Sequence, residues 1–364
     1  MNMKYKAYLC SFLLTFPILG KASAEADSLR QVQISRLQEQ VNWVNPEAIR
    51  AYLDDTKSSL GDKAPVLYQK LEELETLLPR VNRHLSEDTT RQTIAEAEKL
   101  LALKREIILA NPLFDVDKIL IARYRLGNKA RKAMGPSLGT SVANYNSLFS
   151  SRRKGYDAEI SQLSNLRGDI QSKTIYKPEA DVPISDIQLH WDADRLLFSS
   201  LNENRQWQIY EINTDGTGLH QKVVVDEPDL EFCDANYLPD GKVVATCNIG
   251  YNGVPCVHGD DVVANLVSYD PETKNIHRLT FDQDGNWAPI VIPNGRLMYT
   301  RWEYTDLTHY FSRIVMHMNP DGTENKALYG SGSYFPNSTF DMKPLSKYNS
   351  RFVGIISGHH GTAR

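Results

Sequence analysis

The chain has 364 residues, a length that fits about two domains. Hydrophobic residues make up 41% and charged residues 24%, which excludes wholesale disorder, collagen and coiled-coil rods. Lys+Arg number 41 against 45 Asp+Glu, a net charge of -4 without the basic excess of a nucleic-acid-binding protein, and four cysteines are too few for a disulfide scaffold.

Residues 1–24 read as a secretory signal peptide. Lys4 and Lys6 precede the apolar run AYLCSFLLTFPILG (7–20), and Ala22-Ser23-Ala24 follows as a small-residue cleavage site. The run is shorter than the roughly 20 residues of a membrane span. An uncleaved anchor is the competing reading. Cleavage near Ala24 removes Lys4, Lys6 and Lys21, leaving 38 basic against 45 acidic residues, a net -7. No later segment has the length and apolarity of a span, so the mature chain is expected to be periplasmic or extracellular, without a transmembrane segment. Cys233, Cys247 and Cys256 remain. An oxidising compartment makes a Cys247–Cys256 disulfide across CNIGYNGVPC one reading, and three reduced thiols the other.

Residues 25–111 are expected to be helical. Leu29, Val32, Leu37, Val41 and Val44 recur at roughly helical spacing. Asn45-Pro46-Glu47 has the chemistry of an N-cap followed by proline at the first helical position. Val66, Leu67, Leu71, Leu74, Leu77 and Leu78 form a second stripe that Pro79 is expected to end. Ser86 is expected to cap a third helix running to about Ala110, with Ile94, Leu100, Leu101, Ile107 and Leu109 among its apolar residues. Such amphipathic helices form either a small bundle against the following domain or a protein-docking module.

The pattern changes after Asn111-Pro112. Residues 117–121 read as a strand, and 127–155 as a polar loop with a basic cluster at Lys129, Arg131, Lys132, Arg152, Arg153 and Lys154. The rest repeats. One element is a tight turn followed by an apolar strand, in HWDADRLLFSS, YLPDGKVVATC and VIPNGRLMYTR. Arg195, Lys242 and Arg296 align at spacings of 47 and 54. A second element is a strand running into a turn, at EISQLSN, QIYEINTDGTG, NLVSYDPETK and IVMHMNPDGTE. Ile160, Ile209, Leu266 and Val315 align at spacings of 49, 57 and 49. Each period has the content of one four-stranded propeller blade. The units are about 112–177, 178–225, 226–282 and 283–330, with a half unit from 331. The expected fold is therefore mainly β with an α-helical N-terminal region, the β part an incomplete β-propeller of about four and a half blades over 112–364.

The short elements resemble the Tol-Pal translocation-protein propeller repeat. Longer strings resemble the middle domain of hydrazine synthase alpha subunit and its exported bacterial relatives. They are LKREIILANPLFDVDKILIARY (103–124), YNGVPCVHGDDVVANL (251–266), the stretch from LTFDQDGNW to HMNPDGT (279–323), YFPNSTF and RFVGIISGHHG. That resemblance implies a propeller scaffold in an exported protein. It does not imply hydrazine synthesis, because the family's haems are attached through C-x-x-C-H and this chain has no such motif. Family propellers have six or more blades, so the resemblance also implies that four and a half units are a truncated array.

Several polar groupings are candidates for ligand or metal binding. Arg301, Glu303, Asp306, His309 and Arg313 crowd RWEYTDLTHYFSR; His258, Asp260 and Asp261 follow Cys256; His359 and His360 lie between glycines. Converging at the propeller mouth, imidazoles and carboxylates could bind a divalent metal or pass a proton. The alternative is a set of structural salt bridges, Arg301 with Glu303 or Asp306. Asp282, Asp284 and Asn286 fail the EF-hand spacing, leaving only a looser calcium site. Trp191, Trp207, Trp287 and Trp302 are expected to pack between blades. Two functions follow: a module binding an unknown protein or small ligand, or a metal- or cofactor-dependent redox or hydrolytic enzyme at the propeller mouth.

Overall fold

A computed structural model describes residues 18–87, 90–112, 114–126, 149, 151, 153–254, 262–283, 285–302, 313–331, 338–345 and 350–357, with side chains from residue 28 apart from 124–126 and 357. The chain forms two compact units. One spans Met1–Asp117 with Asn165–Asp169, the other Lys118–Ser164 with Ile170–Arg364.

The first unit is helical: α1 (Ile18–Asn42), α2 (Pro46–Leu60), α3 (Ala64–Glu87) and α4 (Arg91–Leu109). Asn45 caps α2 as expected, its Oδ1 accepting the Ala48 N–H at 3.0 Å. Leu53, Leu71, Leu74, Val81, Leu100 and Ile107 are buried in one core. Three sequence expectations need correction. Leu29 and Val32 are exposed, and the buried stripe of α1 starts at Ile34. Pro79 does not end α3. An interior proline costs about 3 kcal/mol, but Leu77, Val81 and Leu85 continue the buried face through it and offset that cost. Ser86 lies in the last turn of α3, donating to the Arg83 carbonyl, and Thr90 caps α4 by accepting the Thr93 N–H at 3.2 Å.

The second unit holds four antiparallel sheets. The first is β1 (Lys118–Leu126), β2 (Tyr156–Ser164) and β3 (Gln171–Tyr176). The second is β4 (Ile184–Leu189), β5 (Arg195–Leu201), β6 (Trp207–Asn213) and β7 (His220–Gln221). The third is β8 (Phe232–Tyr237), β9 (Val243–Cys247), β10 (Asn265–Tyr269) and β11 (Ile276–Arg278). The fourth is β12 (Asn286–Val291), β13 (Leu297–Trp302), β14 (Arg313–Met318) and β15 (Lys326–Tyr329). To it are joined β16 (Ser338–Pro344) and β17 (Phe352–Ser357), β16 meeting β14 through one parallel pair, Arg313 with Ser338. The four repeat positions Ile160, Ile209, Leu266 and Val315 all fall on the third strand of their blade. They pair with Ala122, Ser199, Thr246 and Thr300 on the second strand. By that register β1, β2 and β3 are the second, third and outer strands of the first blade, and β16–β17 are the inner and second strands of the half blade.

Cores form between sheets, which is what makes the array one body. Ile160, Ile184 and Phe198 join the first two sheets, Leu197, Phe232 and Val267 the second and third, and Leu266, Leu279 and Tyr299 the third and fourth. Among the described residues the sheets do not close into a ring.

The repeat extends to hydrogen bonds. In Asn213–Thr217 and Asn319–Thr323, the Asn N–H donates to the Thr carbonyl at 2.9 Å in both turns. Asp215 and Asp321 accept the Thr217 and Thr323 hydroxyls, both at 2.7 Å, which lowers both carboxyl pKa values. Gly216 and Gly322 have φ of 97° and 87°. A Cβ there would lie 3.0 Å and 3.2 Å from the carbonyls of Ile175 and Leu279 in the preceding blade. Left-handed backbone and a fixed neighbouring carbonyl both disfavour a side chain. Gly322→Ala is expected to cost about 1–2 kcal/mol, read as a lowered denaturation midpoint; an unchanged midpoint would show that the turn does not hold adjacent blades together.

Candidate functional site

Two clusters in the propeller unit bring chemistry-bearing side chains together. The first is the turn between β4 and β5. In the equivalent turns, Leu238–Lys242 and Ile292–Arg296, glycine takes the left-handed position. Here the turn is one residue longer, His190–Arg195, and Ala193 takes that conformation at φ 56°. The turn gathers His190, Asp192 and Asp194, whose ligand atoms all lie within 4.8 Å of one another. This set could hold a divalent cation. Arg195 competes for it: Nη1 donates to both Asp194 oxygens at 3.0 and 2.9 Å, and Nη2 lies 2.6 Å from His190 Nε2. The floor belongs to the next blade. The Tyr237 ring meets His190 edge-on at 4.7 Å, and its hydroxyl donates to buried Glu211 at 3.0 Å. Burial and Glu211 raise the Tyr237 pKa, so it stays a neutral phenol. Trp191, expected to pack between blades, is instead 59% exposed beside this turn.

The second cluster lies on the inner strands. Each carries a β-bulge at the same place, with Asp186, Asp234, Ala288 and Asp341 at φ of 52°, 53°, 51° and 47°. Each bulge re-aims backbone at the next blade. Asp186 Oδ2 accepts the Asp234 N–H at 3.2 Å, and Asp234 Oδ2 accepts the Ala288 N–H at 3.4 Å. Ser199 Oγ also accepts from Asp234 N–H, and Thr246 donates to Asp234 Oδ2. Burial, then the Asp186 charge and a side-chain hydrogen bond to it, hold the Asp234 carboxyl well above the usual range; Asp341 adds to the shift.

Of the sequence-predicted residues, Arg301 and Arg313 are described, and they sit at the other end of the blades. His190 follows an inner strand, whereas Arg301 and Arg313 lie where inner strands begin, a strand length away of about 15–20 Å. Arg301 pairs with Asp282 at 2.9 Å; the partners expected of it, Glu303 and Asp306, lie outside the described residues. Arg313 is almost fully buried against Trp287, Trp302 and, from the half blade, Phe340, at 4.7, 5.7 and 5.2 Å from the ring centroids. Trp207, Trp287 and Trp302 are buried in one cluster, as expected. Gly285 admits the Trp287 indole, since a Cβ there would overlap the ring. Arg153, from the basic cluster, pairs with Glu231 at 2.9 Å. Cys233 and Cys247 are buried free thiols, and burial pushes the Cys247 thiol up to about 12. Cys256, His258, Asp260, Asp261, Glu303, Asp306, His309, His359 and His360 lie outside the described residues.

No family model matches the chain, and no curated protein matches it. Among solved structures, hydrazine synthase of Kuenenia stuttgartiensis is similar over 66% of this chain and 36% of that one, at 16% identity and a TM-score of 0.51. TolB from Acinetobacter baumannii is similar over 74% of this chain and 55% of its own, at 12% identity and a TM-score of 0.43. This chain therefore spans about a third of the first and about half of the second. The likeness to hydrazine synthase places the fold among propellers, as the sequence resemblance implied, and defines nothing finer.

The pair at Asp186 and Asp234 has a pH signature. A carboxyl whose folded pKa is raised contributes stability below its unfolded pKa and loses it as pH rises through the folded value. Stability should therefore fall with rising pH above the ordinary carboxylate range. Asp234→Asn, neutral throughout, should flatten that fall, read as thermal midpoint against pH. Parallel profiles for the two proteins would refute the raised Asp234 pKa.

Proposed function

We propose that this chain is part of an extracytoplasmic propeller protein whose activity depends on a divalent cation. The observation that carries the reading is the convergence of His190, Asp192 and Asp194 on one turn. The signal-like N-terminus supports the location. No helix among the described residues is long and apolar enough to cross a membrane. Imidazole with two carboxylates suits zinc, manganese or iron. Such an ion would polarise a substrate oxygen or acidify a bound water, with Tyr237 as a neutral donor nearby. In the sequence-predicted loops, His258, His309 and His359 are further proposed ligand-binding residues.

A second reading, a module that binds a protein or small ligand without metal, is favoured by Arg195. Its guanidinium already satisfies Asp194 and His190. The two readings separate by titrating the full chain with Mn²⁺ and with Zn²⁺. The metal reading expects one ion per chain, with at least about tenfold weaker binding in Asp192→Asn. Binding that is absent, or unchanged in that variant, leaves the metal-independent module.

A further inference from the structure

Arg195 holds the His190 turn together with its own positive charge. The two His190 nitrogens have different neighbours. Nδ1 faces the carboxylates, 3.3 Å from Asp192 Oδ2 and 3.7 Å from Asp194 Oδ1. Nε2 faces Arg195, with Nη2 at 2.6 Å. A guanidinium only donates, so Nε2 accepts and Nδ1 carries the ring proton. The Asp192 backbone nitrogen also lies 3.2 Å from Nδ1, but the shorter Arg195 contact decides the tautomer. Nη1 of Arg195 donates to both Asp194 oxygens. The other edge of the guanidinium belongs to the adjoining strands. Its Nε is 3.9 Å from Oε2 of buried Glu211, and its central carbon is 5.7 Å from the Tyr237 ring centroid. The Nη end is thus committed to the turn, while the Nε edge is held from outside it.

We propose that Arg195 is an exchangeable counter-ion of this site, and that a divalent cation bound there turns Arg195 and His190 into a receptor for a carboxylate. The inference rests on the cation reading of the turn and names the ligand that accompanies the ion. A cation takes Nδ1 together with Asp192 and Asp194, which leaves the ring proton on Nε2. Arg195 then loses both partners at once. Asp194 serves the cation, and Nε2 has changed from acceptor to donor. Two donors now face each other, and the guanidinium stands beside a second positive charge. A carboxylate relieves both conflicts by accepting from the Nη end of Arg195 and from Nε2 of His190. Glu211 and the Tyr237 ring keep the guanidinium in reach as its Nη end opens. Trp191 lies next to this opening, its exposed ring 5.4 Å from the His190 ring. That open aromatic face suits a ring attached to the carboxylate. The ligand class is therefore a cyclic carboxylate. Cation and carboxylate each raise the affinity of the other by the same factor.

The full chain is titrated with Mn²⁺, followed through the paramagnetic resonance signal of the free ion, with and without benzoate. In the parent protein Mn²⁺ must displace Arg195, so Arg195→Met is expected to bind Mn²⁺ alone about fivefold tighter. A merely structural role for Arg195 has the opposite sign, because loss of the guanidinium would loosen the turn and weaken Mn²⁺. Benzoate is expected to raise the Mn²⁺ affinity of the parent about fivefold and to leave that of Arg195→Met unchanged. Trp191→Ala should reduce the benzoate effect to that of acetate. Arg195→Gln is a second uncharged variant with the same expectation, and thermal midpoints near that of the parent identify the variants that fold. Mn²⁺ binding that neither Arg195 variant tightens, or that benzoate does not change, overturns this inference and leaves the cation reading standing. A larger effect of sulfate than of acetate overturns the carboxylate assignment in favour of a tetrahedral oxyanion. Absence of Mn²⁺ binding to the parent and to both Arg195 variants removes the cation reading and this inference with it.

Discussion

The propeller unit depends on one backbone device, the left-handed bulge of the inner strand. A β-strand pairs along its own sheet and has no means of fixing the sheet beside it. The bulge supplies one by turning an N–H out of its ladder toward the preceding blade. Left-handed backbone costs an ordinary residue about 1–2 kcal/mol, and aspartate tolerates it better than most. Three of the four bulge residues are aspartate, and the fourth, Ala288, still donates its N–H to Asp234. One carboxylate thus completes the hydrogen bonding that the neighbouring bulge disrupts. Burial first, and then the charge of nearby Asp186, raise the Asp234 pKa.

Apolar packing supplies the bulk of the attraction between blades, and the bulges set where it occurs. The intersheet cores consist of residues from both second and third strands, with side chains such as Leu197 and Leu266 fully buried. Burying an aliphatic side chain contributes roughly 1.5–3 kcal/mol, so each intersheet core outweighs the hydrogen bonds at its inner edge. Those bonds provide register instead. Toward the half blade, Met342 and Phe352 pack on Ile292, Met298 and Val315, and a second contact is added. Arg313 reaches from β14 to Phe340 of β16, stacked among Trp287 and Trp302. A buried guanidinium against aromatic faces joins sheets that share one backbone pair.

The blade repeat was legible in the sequence because its signals are local and of fixed spacing. The apolar residues at Ile160, Ile209, Leu266 and Val315 mark the same third strand in each unit, and an Asp-Gly turn follows it in two of them. The bulge aspartates escaped notice because the residues around them differ from blade to blade, and Ala288 interrupts the series. The His190 turn reads as a repeat turn in HWDADRLLFSS but not as a ligand set, because the convergence of its three side chains depends on the turn's conformation and not on their spacing. Pro79 misled for a related reason. A proline is a strong local stop, but the continuity of the buried face from Leu71 to Leu85 is a tertiary property that the stop does not reveal. Glu303 and His309 stood out by composition, yet the described part of that cluster, Arg301 and Arg313, is used for packing and pairing.

The two ends of the blades are built from different materials, and that separation constrains any site. Strand-to-strand turns at one end carry His190, Asp192, Asp194 and Arg195, largely hydrated charges on short loops. The other end carries Trp207, Trp287, Trp302 and Arg313, buried and closely packed. A blade is stiff along its strands, so groups at opposite ends cannot meet on one ligand of ordinary size. Chemistry at the His190 turn must therefore use what reaches it from the same end: Tyr237, Glu211 and Lys222 of the adjoining strands. The Asp186–Asp234 pair lies between these ends, on the inner strands, where its hydrogen bonds fix one blade against the next.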